Sequence, residues 1–87
     1  MDNKAIDSTL ILWRGDLSDD CTAVWNGLML RAEWMDEDYW WWAVSDMKTN
    51  EEIDSSNNYD DSVIGGEIAR QRAESAARKY LGLNKKE

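Results

Sequence analysis

The 87-residue sequence contains no histidine, no proline and no phenylalanine, and its single cysteine is Cys21. Histidine is the usual general base at neutral pH and the commonest metal ligand, so both roles lack their usual residue. Without an imidazole to activate its thiol, Cys21 is interpreted as a small buried hydrophobic residue. The sequence therefore predicts no catalytic residue, no metal site and no cofactor, and it does not indicate an enzyme.

Carboxylates are plentiful, and they leave two alternatives open. Paired carboxylates can hydrolyse glycosides, but only across a cleft, which an 87-residue chain rarely forms. The run Asp36-Glu37-Asp38 lacks the spacing of a calcium-binding loop, although adventitious cation binding there stays possible.

One cysteine also excludes an internal disulfide, on which small secreted domains usually depend. The sequence begins Met1-Asp2-Asn3-Lys4, without the basic start and apolar run of a signal peptide. Its apolar runs fall far short of the ~20 residues that cross a membrane. We therefore expect a single small domain in the cytoplasm, with a frayed start over residues 1–7.

Basic residues are scarce and unevenly placed. The chain has 10 Lys and Arg against 18 Asp and Glu, a net charge of −8. Residues 1–69 hold 16 acidic and 4 basic side chains, whereas residues 70–87 hold 2 acidic and 6 basic. The acidic part should repel nucleic acids and membrane surfaces and attract basic proteins. The alternative is that the charge only keeps an aromatic-rich surface soluble.

The densest hydrophobic stretch is Tyr39-Trp40-Trp41-Trp42-Ala43-Val44. Aromatic and β-branched residues favour strands, in which successive side chains point to opposite faces. The alternation places Trp40, Trp42 and Val44 on a core face. It leaves Tyr39 and Trp41 on the other face of the sheet.

Further strands are predicted over residues 8–13, 21–25, 28–35 and 52–55, in addition to 39–45. The triplet Arg14-Gly15-Asp16 is predicted to be the turn that ends the first strand. Asn26-Gly27 between two apolar runs is typical of a two-residue type I′ hairpin. The strand over residues 28–35 should direct Leu28, Leu30, Ala32 and Trp34 to the core, and residues 52–55 should form a short edge strand.

A C-terminal helix is predicted over residues 62–82. Its apolar positions recur at helical spacing and comprise Ile64, Ile68, Ala69, Ala73, Ala76, Ala77, Tyr80 and Leu81. Asp61 or Ser62 is the expected cap, Gly82 the expected end, and Leu83 is expected to fold back on the last turn. The alanines allow close approach to large tryptophans. The predicted fold is α+β, an antiparallel β-meander of four to five strands covered on one face by a single C-terminal helix.

The candidate site is the face of the sheet that the helix leaves bare. Tryptophan, tyrosine and methionine are enriched at protein interfaces. The expected partner-binding residues are Tyr39, Trp41, Met29 and Met35, with the acidic residues Asp36, Glu37 and Asp38 beside them. The alternative is that Trp41 is merely half-covered, by Arg31 or by the N-terminal strand.

The tryptophan-rich hairpin Trp40-Trp41-Trp42-Ala43-Val44, followed by Ile53-Asp54-Ser55-Ser56 and a helix that ends at Gly82, resembles small proteins of phages and mobile elements. The acidic surface is similar to that of phage-encoded inhibitors, including anti-CRISPR proteins, several of which imitate DNA. The resemblance covers residues 28–83 and lies in architecture and charge, so it identifies no site residue. The six basic residues near the C-terminus depart from a uniformly acidic DNA mimic.

Three functions are weighed. The preferred one is a non-enzymatic inhibitor that binds a nucleic-acid-handling host defence protein through an acidic, tryptophan-containing surface, within the host cytoplasm if a phage encodes it. It would bind neither nucleic acid nor membrane directly. The second is a structural or accessory phage protein that self-associates, for example as a homodimer. The third is a small enzyme of unknown type.

Overall fold

The structure is a computed structural model that describes residues 10–36, 39–59 and 63–82. Five antiparallel strands form one sheet in the order of the sequence, and a helix packs on one face. The strands are β1 (Arg14–Asp16), β2 (Asp20–Trp25), β3 (Leu28–Asp36), β4 (Tyr39–Asp46) and β5 (Glu52–Ser55). A 3₁₀ turn (Ser56–Asn58) follows, and the helix α1 is Gly66–Leu81. The predicted α+β fold is confirmed.

The turn between β2 and β3 sets the register of the central hairpin. Asn26 and Gly27 have φ values of 51° and 81°, as a type I′ turn requires at both positions. Trp25 therefore pairs with Leu28, and each following pair is fixed. The predicted hairpin is confirmed, and β5 lies at the sheet edge as expected.

The prediction for the first strand is wrong. Arg14, Gly15 and Asp16 form strand β1 rather than a turn, whereas Leu10–Trp13 are outside any strand and residues 8 and 9 lie outside the described ranges. A Cβ on Gly15 would lie 2.8 Å from the carbonyl oxygen of Asp20, and its φ is +99°. Only glycine combines that φ with so close an approach, so Gly15 is what lets this polar triplet pair with β2.

The core lies between the sheet and α1. Its largest side chains are Trp25, Trp40 and Trp42, each at most 6% exposed. Ala69, Ala73 and Ala77 face them from α1 and are fully buried. Because these helix side chains are small, the backbone of α1 can approach the sheet and the tryptophans fill the space between them.

The helix begins later than predicted and ends as predicted. Its N-cap is Gly65, at φ 106° and without a side-chain hydrogen bond, so the expected capping by Asp61 or Ser62 is wrong. These two residues, and Leu83, lie outside the described ranges. At the other end Gly82 is left-handed, and its N–H is shared between the carbonyl oxygens of Arg78 and Lys79.

Four residues that were expected in the core are exposed: Ile64, Ile68, Tyr80 and Trp34 are 57%, 39%, 52% and 46% accessible. The fully buried positions of α1 form the single line Ala69, Ala73 and Ala77. Ala76 and Leu81 pack partly against the core beside this line, whereas Ile68 and Tyr80 are exposed. Trp34 pairs with Trp40, and the first residue of α1, Gly66, packs on the Trp40 ring. Trp34 therefore lies at the end of the sheet face that α1 covers. Within the described ranges no helix has the length and apolarity needed to cross a membrane.

Candidate interaction surface

The face of the sheet opposite α1 is called the open face. Strand alternation and the observed register place on it Arg14, Asp16, Asp20, Thr22, Val24, Met29, Arg31, Glu33, Asp36, Tyr39, Trp41, Ala43, Ser45, Glu52 and Ser55. None of the described elements packs across it, since α1 lies on the other face. It brings aromatic, methionine and acidic side chains together on one surface.

A row of acidic side chains crosses three strands of the open face. Asp16 pairs with Asp20, Asp20 with Glu33, and Glu33 with Trp41. Side chains directly opposite in an antiparallel sheet have Cβ atoms roughly 4.5–5.5 Å apart, at which distance like charges repel. We call Asp16, Asp20 and Glu33 the acidic row; it ends at the indole of Trp41.

Trp41 is half-buried, and Arg31 covers it. The guanidinium carbon of Arg31 lies 5.5 Å from the centroid of the Trp41 ring. The same guanidinium donates from Nη2 to a carboxylate oxygen of Glu33 at 3.1 Å. Arg31 therefore half-covers Trp41, as the alternative describes, and the role of Trp41 in partner binding stays a prediction. The tryptophan presents its edge, a stacked cation and an acidic neighbour rather than a bare ring.

The apolar part of the open face lies beside this cluster. Val24 is 60% exposed and Met47, in the turn after β4, is 48% exposed. A groove of about 520 Å³ crosses this part of the open face; its lining residues are Asp20, Thr22, Met29, Arg31, Ser45, Met47 and Asn50. The groove combines methionine side chains with both signs of charge.

The structure separates the predicted partner-binding residues into two groups. Tyr39 and Asp36 pair across the β3–β4 hairpin, and Met35, 49% exposed, lies at the bulge beside them. Met29 lies six residues from Met35 along β3, which corresponds to about 20 Å. Trp41 lies between the two groups, opposite Glu33. Glu37 and Asp38 lie outside the described residues, so their predicted place in the site stays a prediction.

Four residues were missed as site residues: Arg31 and Glu33, which adjoin Trp41, and Asp20 and Asp16, which continue the acidic row away from it. A signal for two of them was present in the sequence, because a two-residue Asn26-Gly27 turn places Asp20 directly opposite Glu33. Asp16 could not be found in this way, since its position depends on a strand that the sequence did not predict.

Asp16 is fixed by the turn that follows it. Its carboxylate accepts hydrogen bonds from the hydroxyl of Ser18 at 2.7 Å and from the backbone N–H of Ser18 at 2.9 Å. These bonds lower the pKa of Asp16, the hydroxyl having the larger effect. Asp16 therefore carries a full negative charge at neutral pH, at one end of the acidic row.

The described residues contain no cluster of three or more His, Cys, Asp or Glu side chains placed to hold a metal ion. In comparisons with known proteins, the chain matches no family model, no curated protein and no solved structure. The site must therefore be interpreted from its own chemistry.

Proposed function

We propose that the protein is a non-enzymatic binding protein whose open face engages a basic surface of another protein. The observation that carries this proposal is the acidic row that ends at Trp41. Like charges placed directly opposite destabilise a sheet, so the row works against folding. A surface that is costly to fold is best explained by a use outside the fold.

The chemistry around the row supports an interface. Trp and Arg are the residues most enriched at binding hot spots, and here Arg31 stacks on Trp41 before any partner arrives. Arg31 is thereby held in one orientation, which reduces the entropy that binding must overcome. Asp16 and Asp20 then supply the charge that accelerates association with a basic partner.

The partner class that fits best is a protein with a nucleic-acid-binding surface, such as a component of a host defence system. Such proteins carry Lys and Arg residues arranged for phosphates. A line of carboxylates across three strands presents fixed negative charges of the same sign as a phosphate backbone. The protein would then occupy the site as an anti-CRISPR-like inhibitor or DNA mimic does, without binding DNA itself.

The test uses the immobilised protein to capture partners from bacterial lysate, with identification by mass spectrometry. We expect a nucleic-acid-binding protein to be retained and to be released by double-stranded DNA, because both compete for one basic surface. Direct binding of the purified pair should weaken by roughly 2–4 kcal/mol in Trp41→Ser if Trp41 is a hot spot. A gel-shift assay should find no complex between the protein and DNA alone.

Trp34→Ser is the matched control, because Trp34 is 46% exposed but lies on the helix side of the sheet. Equal weakening by both variants would contradict a role for the open face. Retention that DNA does not reverse would contradict the nucleic-acid-binding partner while leaving the interface itself intact. The second candidate function is self-association, which sedimentation of the protein alone tests. If the protein self-associates through the open face, Trp41→Ser should lower its average mass.

A further inference from the structure

A second feature lies on the other side of the molecule, between α1 and the β5 edge. It is a cavity of about 210 Å³ lined by Trp42, Asp54, Tyr59, Arg72, Ser75, Ala76 and Lys79. Sites for drug-sized ligands span roughly 300–1,000 Å³, so this cavity suits a smaller molecule. It shares no residue with the open face.

Asp54 forms one wall of the cavity and is held by three hydrogen bonds. Its Oδ1 accepts from the backbone N–H of Ser55 and from Nδ2 of Asn58, each at 2.9 Å, and its Oδ2 accepts from the hydroxyl of Tyr59 at 2.7 Å. Both carboxylate oxygens are therefore already occupied by donors of the segment that follows β5. Asp54 orients Tyr59 and is not available as the main acceptor for a ligand.

Trp42 is the most deeply buried residue of the lining, at 2% exposed. Its ring stacks on that of Tyr59, with centroids 6.0 Å apart and planes inclined by 27°. Its Nε1–H is buried and has no acceptor among the described residues. A buried donor without an acceptor is costly, and most such groups in native proteins have a partner. Trp42 thus lines the cavity and carries a buried donor that lacks an acceptor among the described residues.

The opposite wall is cationic. Arg72, Ser75 and Lys79 occupy positions i, i+3 and i+7 of α1 and so lie on one side of the helix. Among the described lining residues Asp54 is the only acidic one, and their formal charges sum to +1. The cavity therefore joins two cations and a hydroxyl to an apolar aromatic wall.

We propose that this cavity binds a small organic anion, in which one carboxylate or phosphate is attached to an apolar group. The anion lies against Lys79 and Arg72, and the apolar group lies against Trp42, Tyr59 and Ala76. An oxygen of the anion is also the acceptor that Trp42 Nε1–H lacks. Because Nε1 is buried, this contact requires the Tyr59 ring to shift on Trp42 and its hydrogen bond to Asp54 to lengthen or break. This proposal does not depend on the proposed function.

The experiment follows the six tryptophan indole N–H signals of the ¹⁵N-labelled protein by NMR during ligand titration. Benzoate and phenyl phosphate are the two probes, matched in their ring and different in their anion. The Trp42 signal is assigned from Trp42→Phe. We expect at least one probe to shift this signal along a saturating curve, while the Trp41 signal on the open face stays in place. Saturation by one probe alone identifies the anion class.

Lys79→Gln should weaken binding about fivefold, the effect of losing an ion pair of about 1 kcal/mol. Lys48→Gln is the matched control, since Lys48 is exposed in the turn between β4 and β5 and lines no part of the cavity. The dispersion of the same spectra verifies that each variant is folded. Shifts that do not saturate, that sodium chloride reproduces, or that are equal in Lys79→Gln and the wild type would overturn the proposal.

Discussion

The guanidinium of Arg31 stands 5.5 Å from the ring centroid of Trp41 and donates to Glu33 at 3.1 Å. One side chain thus joins the aromatic and acidic parts of the open face. Without Arg31, Trp41 would expose more of its ring and Glu33 would lose its ion-pair partner while still facing Asp20. The cluster is a ready-formed surface rather than three separate residues.

The Arg31–Trp41 contact should contribute measurably to stability. A cation–π contact at a partly exposed site contributes roughly 0.5–1 kcal/mol. A double-mutant cycle of Arg31→Ala and Trp41→Leu, measured by urea unfolding, should give a coupling energy of that size. The same cycle with Arg31→Ala and Trp34→Leu should give none, because Trp34 lies on the other face. Equal coupling in both cycles would contradict the stacked geometry.

The acidic row should cost stability. Asp20 lies between Asp16 and Glu33, so Asp20→Asn removes two like-charge oppositions and should stabilise the fold by roughly 0.2–1 kcal/mol. The contrasting variant is Asp46→Asn. The carboxylate of Asp46 accepts from the backbone N–H groups of Lys48 and Thr49, so this substitution should lower stability. Thermal unfolding at low salt measures both. A destabilising Asp20→Asn would show that the acidic row does not oppose folding and would remove its support for a binding role.

Local chemistry explains which parts of the fold were predictable. Asn26-Gly27 alone determines a two-residue turn, and this turn determines the pairing of β2 with β3. Strand β1 was not predictable, because Arg14-Gly15-Asp16 has no apolar pattern and pairs only where Gly15 approaches the Asp20 carbonyl. Helical periodicity revealed α1 but not the width of its buried stripe, which depends on the sheet that it meets.

The candidate site was predictable to a similar degree. Alternation along β4 is sufficient to place Tyr39 and Trp41 away from Trp40 and Trp42. The neighbours of Trp41, however, come from β3, and their identity depends on the register of the β3–β4 hairpin. That register contains a shift between Trp34 and Asp36, which no turn motif indicates.

The close approach of α1 to the sheet should make it intolerant of larger side chains. Ala73 is fully buried among the core tryptophans, so Ala73→Leu should overpack the core and destabilise by roughly 1–3 kcal/mol. Ser75→Leu adds comparable bulk at an exposed position of the same helix and should change stability by less than about 0.5 kcal/mol. The measurement is the midpoint of urea unfolding. A similar effect at both positions would mean that α1 is packed on a different side.

Asp54 should make the β5 edge sensitive to acid. Burial raises the pKa of Asp54, but hydrogen bonds from Tyr59, Asn58 and the Ser55 N–H, together with nearby Lys79, outweigh burial and lower it overall. A carboxyl whose folded pKa is below its unfolded pKa of about 3.9 stabilises the fold above that unfolded value. This stabilisation is lost as the pH falls through the folded pKa. The free energy of unfolding of the wild type should therefore fall below about pH 4, and that of Asp54→Asn should fall less steeply. Glu52→Gln, an exposed change on the same strand, should retain the wild-type slope, and an unchanged slope in Asp54→Asn would contradict the network around Asp54.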